Sequence, residues 1–84
     1  MGYTTWNVTW AQAGSEWDFG DSFESAEDAR REFREQRARL QTDWDTKGLA
    51  GRAWLESLYF EDEDGDPDAE TLDLVQFGPL KGRR

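Results

Sequence analysis

Residues 26 to 44 place the tightest constraint on the fold. Ala26, Ala29, Phe33, Leu40 and Trp44 recur at spacings of three, four and seven, which sets all five on one stripe of a helix. Just before them, SAED offers a cap: the Ser25 hydroxyl can accept from the free N–H groups of a first turn, and Asp28 can reach back as in a capping box. Glu27/Arg31 and Glu35/Arg39 have the orientation that supports a helix at i,i+4, and Gly48 and Gly51 supply the stop. A helix over about 26–46 follows, and the remaining chain must give its apolar stripe a surface.

That surface is a sheet. Trp6, Val8 and Trp10 alternate with Thr5, Asn7 and Thr9, which predicts a half-buried strand over about 4–11. Gly14-Ser15 marks a turn, and Trp17 and Phe19 resume the alternation against Glu16 and Asp18 in a second strand, about 16–23. After the helix, AWLESLYFE and TLDLVQF predict strands over about 53–61 and 71–77, with Gly78-Pro79 ending the last and residues 79–84 as a tail. Within 53–61 two inner sets compete, Trp54/Leu58/Phe60 and Leu55/Tyr59. The order ββαββ predicts an α+β fold in one domain, 1–84: a four-stranded antiparallel sheet with one helix across one face, and Trp6, Trp10, Phe33, Leu40 and Trp44 in a common core. The other face then meets water or another chain.

A chain of 84 residues is near the size where one core becomes marginal, and its five Trp, five Phe and two Tyr supply most of the apolar volume. It has no Cys and no His, which removes thiolate nucleophiles, imidazole bases and the common zinc sites. No apolar run approaches the roughly 18 residues of a membrane span, and MGYTTWNVTW lacks the regions of a signal peptide. Trp6 also departs from the N-myristoylation pattern. The expectation is a cytoplasmic protein without a membrane or cofactor.

The net charge is -9, and it is local. Eight of the 19 acidic residues lie between Glu61 and Asp73 with no Lys or Arg among them; outside that window 11 acids face 10 bases. An even acidity of the salt-adapted kind would spread further. The densest part, EDEDGDPDAE at 61–70, admits several readings. With Gly65 at position 6 of a calcium loop, Asp62 and Asp64 fit positions 3 and 5, but Phe60 and Thr71 occupy the ends where oxygen ligands belong. Paired carboxylates can run acid–base chemistry only when a cleft separates their pKa values, and a loop between strands is no cleft. Neither a metal site nor an enzyme is expected.

Two readings remain for that stretch. It can be a hydrated hairpin that protects a sheet edge. Alternatively, side chains two apart on an extended strand are roughly 7 Å apart, comparable to successive phosphates, so a carboxylate row can occupy a groove built for nucleic acid. Glu61, Asp62, Glu63, Asp64, Asp66, Asp68, Glu70 and Asp73 form the candidate partner-binding set. On the helix, Arg30, Arg34 and Arg37 share one flank. Because an acidic protein repels a polyanion, these arginines are expected to cover the apolar seam and pair with sheet carboxylates rather than bind nucleic acid directly.

In profile, this small, acidic, cysteine-free ββαββ chain with a concentrated carboxylate hairpin resembles the phage-encoded anti-CRISPR proteins, some of which act as DNA mimics. The resemblance carries no motif and transfers no individual residue. It implies a non-enzymatic inhibitor of a basic nucleic-acid-handling protein, such as a CRISPR effector complex, acting in the host cytoplasm as a DNA mimic or a steric blocker. The alternative is a small acidic accessory or structural module that forms a homodimer through its open sheet face.

Overall fold

The computed structural model describes residues 2–15, 18–62 and 64–79. Its elements are β1 (Tyr3–Gln12), β2 (Phe19–Phe23), α1 (Ala26–Lys47), β3 (Gly51–Phe60) and β4 (Asp68–Phe77). The strands form one antiparallel sheet in the order β2-β1-β3-β4, with α1 packed on one face: the α+β architecture read from the sequence.

The helix forms where its stripe and caps place it. Ser25 has extended backbone, and its Oγ accepts from the Asp28 N–H at 3.3 Å. Gly48, at φ 68, turns the chain in the left-handed conformation while its N–H bonds back to the Trp44 carbonyl. Gly51 is not part of the stop. It opens β3 opposite Gln12, where a Cβ would lie 2.7 Å from Leu40 Cδ2. The ion pairs also differ from those expected: Asp28 takes Arg31 at 3.3 Å and Asp43 takes Arg39 at 3.5 Å. Asp43 is the better-placed acceptor because Gln12 Nε2 also donates to it, at 2.7 Å, from β1.

The sheet departs from the sequence boundaries by more than one residue at three strand starts, the smallest shift being that of β3, which begins at Gly51 rather than 53. β2 begins at Phe19 rather than near 16, and Glu16 and Trp17 lie outside the described residues. β4 begins at Asp68, three residues before the predicted start at 71, because Tyr59 and Ser57 on β3 give Asp68 and Glu70 ladder partners. Pairing backbone groups outweighs the poor strand propensity of acidic residues.

Register resolves the ambiguity in β3. Val8 pairs with Leu55 and Trp10 with Ala53, so Ala53 and Leu55 point at the helix while Trp54, Leu58 and Phe60 point away. The core is Val8, Ala29, Phe33, Leu40, Ala53 and Leu55, with Trp6, Trp10, Phe23, Leu72, Val75 and Phe77 partly buried around it. Trp44 stands outside this cluster. One turn past Leu40, which already faces the first residue of β3, it overhangs the sheet and sets its ring against Gly78, whose φ of 72 and lack of Cβ allow the approach. Small residues at Ala29, Gly51 and Ala53 keep the two layers close, and the molecule is only 16 Å in its thinnest dimension.

Candidate functional site

β3 and β4 form the hairpin that carries the acidic residues. Glu61, Asp62, Asp64 and Asp66 lie in the connection, where the Gly65 N–H donates to the Asp62 carbonyl at 3.4 Å; Glu63 lies outside the described residues. Asp68, Glu70 and Asp73 are strand residues, not loop residues. Asp68 is opposite Tyr59 and Glu70 opposite Ser57, which puts both on the helix side of the sheet about 7 Å apart. The ladder then slips between the pairs Leu55↔Asp73 and Glu56↔Thr71, leaving Leu72 as the extra residue of a bulge. Leu72 packs against the core, and Asp73, opposite Leu55, keeps to the same side as Asp68 and Glu70. The regular row is thus three carboxylates long, and Asp62, Asp64 and Asp66 follow the turn beyond it.

All seven described carboxylates of this set are exposed. Among the described residues none pairs with a Lys or Arg, and the one side-chain bond is Asp73 Oδ1 accepting from the Leu74 N–H at 2.9 Å. The helix does not reach those nearest the turn. It begins after Phe23, which lies in the row Phe23–Trp6–Ser57, so the rows nearer the hairpin turn project past it and Tyr59 remains 41% exposed. The radius of gyration, 14.1 Å, exceeds the roughly 12 Å of a compact chain this long, in keeping with a projecting hairpin. β4 is also a sheet edge, and its charges discourage another strand from adding there. No three acidic side chains among the described residues converge as metal ligands.

Arg30, Arg34 and Arg37 do not take the structural role expected of them. All three are exposed, and among the described residues none meets a carboxylate. Of the β4 acids, Asp68 lies beyond the row Phe23–Trp6–Ser57, Glu70 lies in that row on the edge strand, and Asp73 is opposite Leu55. The opposite flank of α1 borders a cleft of about 420 Å³ lined by Trp10, Gln12, Phe19, Gln36 and Arg39. Its two amides and the Arg39 guanidinium are already bonded: Arg39 Nε donates to Gln36 Oε1 at 3.0 Å, Gln36 Nε2 to Glu32 at 2.9 Å, and Gln12 to Asp43. A ligand there would have to break bonds rather than complete them.

One surface escaped the sequence reading of candidate residues. Trp54 and Leu74, paired across β3 and β4, sit side by side on the sheet face away from the helix, and Leu74 is 58% exposed. The ambiguous facing of 53–61 hid this pair. No described helix is long and apolar enough to cross a membrane. No family model, curated protein or solved structure matches this chain.

Proposed function

We propose that the protein is a non-enzymatic inhibitor that engages a basic, nucleic-acid-handling protein through its β3–β4 hairpin, in the manner of a DNA mimic. The observation that carries this reading is the set of exposed carboxylates with no cationic partner in the described chain, on a hairpin that projects past the helix. Unpaired charges on a projecting element keep their full field for an approaching partner, where they steer encounter as well as stabilise the complex. Asp68, Glu70 and Asp73 occupy a rigid strand, so they present charge at fixed spacing without the entropy cost of ordering a loop. Glu61, Asp62, Asp64 and Asp66 extend that surface around the turn. A partner that reads phosphates with Lys and Arg can accept this surface in their place. The anti-CRISPR resemblance names one such partner, a CRISPR effector complex, and places the encounter in a host cytoplasm.

Immobilised protein exposed to a bacterial lysate should capture basic nucleic-acid-binding proteins at moderate salt and release them when duplex DNA or additional salt is added. Capture that DNA does not displace, or that persists undiminished at high salt, contradicts the mimicry.

A further inference from the structure

The sheet face turned away from α1 differs in charge from the rest of the protein. Register assigns it Tyr3, Thr5, Asn7, Thr9 and Ala11 on β1, Gly20 and Ser22 on β2, Arg52, Trp54, Glu56, Leu58 and Phe60 on β3, and Ala69, Thr71, Leu74 and Gln76 on β4. Among these sixteen positions are one cation and one anion, in a chain that is 35% charged and would place about five or six there at random. The face is also apolar in patches: Tyr3 and Phe60 stack with ring centres 4.9 Å apart, and the Arg52 guanidinium lies 4.9 Å from the Trp54 ring centre.

The two charges are placed symmetrically. Arg52 and Glu56 lie two residues before and two after Trp54 on one strand, pointing the same way, so about 13 Å separates them and they do not pair within the chain. The row across the sheet at Trp54 is Thr9–Trp54–Leu74. On one side of it lies Ala11–Arg52–Gln76, and on the other Asn7–Glu56–Thr71. Asn7 Oδ1 and Arg52 Nε, one in each flanking row, are the buried side-chain polar atoms without a hydrogen-bond partner among the described residues. Both atoms are shielded within the chain, so what the two flanking rows present outward is the opposite charge of Arg52 and Glu56.

We infer that this face receives a second copy of the chain, with a two-fold axis running along the Thr9–Trp54–Leu74 row. Rotation about that axis brings Trp54 against Trp54 and Leu74 against Leu74, with each Arg52 guanidinium beside its own Trp54 ring, and it lays the Arg52 row of each copy over the Glu56 row of the other. Both ion pairs form at once, which is the self-complementarity that an isologous interface requires. Other occupants fit less well. A strongly basic or acidic partner would gain one contact and lose another, whereas an identical copy satisfies both signs. Sheets packed face to face lie about 10 Å apart, a gap that an Arg and a Glu can bridge between them. From strand spacing and rise, the fifteen positions other than Ala11, which is already buried, cover about 500 Å² per copy, so pairing removes about 1,000 Å² from water, the lower bound for a biological interface. Because the -9 charge repels other approaches between copies, this near-neutral face is also where self-association costs least.

The full chain, followed by sedimentation equilibrium from about 1 to 200 µM at about 0.15 M salt, should move to twice its 9.8 kDa mass as concentration rises. Arg52→Glu and Glu56→Arg should each weaken the dimer more than about tenfold, since each sets like charges together, and the double swap should restore it. Leu74→Arg, on a side chain already exposed, should abolish dimerisation while circular dichroism stays native. A monomer at every concentration overturns the inference, as does a dimer that ignores the single reversals and Leu74→Arg. Loss in both single variants with no recovery in the double swap overturns the two-fold pairing. Replacing the hairpin acids leaves this interface untouched, so its failure and that of the hairpin proposal are read separately.

Discussion

The hairpin and the open face share β3 and β4, yet they follow opposite rules of charge. On the helix side and at the turn, seven described carboxylates stand exposed with no cationic partner among the described residues. On the open side, the same two strands show Arg52, Trp54, Glu56, Leu58, Phe60, Ala69, Thr71, Leu74 and Gln76, with one charge of each sign. Strand periodicity does most of the sorting, because alternate residues face opposite ways. The bulge completes it. In an unbroken ladder Asp73 would follow Ala69 and Thr71 onto the open face; the extra residue at Leu72 turns Asp73 back to the helix side and puts Leu74 beside Trp54 instead. A single inserted position thus keeps a carboxylate out of the apolar row and adds it to the acidic one.

Both regions depend on the same thin core, so the largest expected effect removes them together. Phe33, only 3% exposed, should cost about 3 to 5 kcal/mol on replacement by Ala, measured by urea unfolding. A loss below about 1 kcal/mol contradicts the packing described. Gly51→Ala comes next, because its Cβ would press on Leu40, which is fully buried. A destabilisation of about 1 to 3 kcal/mol is expected, and none at all would mean that the layers are not held as closely as Ala29 and Ala53 imply.

Smaller effects separate the regions. Asp62, Asp64, Asp66 and Asp68 replaced together by Asn should change stability by less than about 1 kcal/mol, with a gain at low salt that fades as salt rises, because repulsion is removed and no ion pair among the described residues is broken. A large loss would show that these acids serve the fold. Arg34→Gln should fall within about 0.5 kcal/mol, as for an exposed residue without a carboxylate partner among the described residues. A loss well above that would restore the pairing with sheet acids that the sequence suggested. Calcium at micromolar concentration should leave the melting temperature unchanged; a rise of several degrees would reveal a bound ion.

The helix was legible because its signals are local. The stripe through Phe33 and Leu40, the Ser25 cap and the Gly48 stop each depend on neighbours within a few residues. The face of β3 was not, since alternation defines two faces without saying which one a helix covers; the partners Val8 and Trp10, more than forty residues away, decide it. The bulge at Leu72 and the early start of β4 are properties of a ladder rather than of one strand. Of the candidate site, the density of charge was visible in the sequence. The row of Asp68, Glu70 and Asp73 was not, because Asp73 breaks the period of two and only the bulge explains its side. Arg30, Arg34 and Arg37 were read as paired because i, i+4, i+7 spacing shows a shared flank, but spacing cannot show what stands opposite.

The hairpin's role is tested most directly by titrating the captured, DNA-displaceable partner against three forms of the protein. These are the unaltered chain, the Asn replacement at Asp62, Asp64, Asp66 and Asp68, and a control with Asp21, Glu24, Glu35 and Asp45 changed to their amides. Each variant removes four charges from exposed positions, so net charge is matched and only location differs. The hairpin variant should bind more than tenfold less tightly, partly through slower association, while the control stays within about threefold. Equal weakening of the two would assign binding to net charge alone, and no weakening of either would take the contact away from the hairpin.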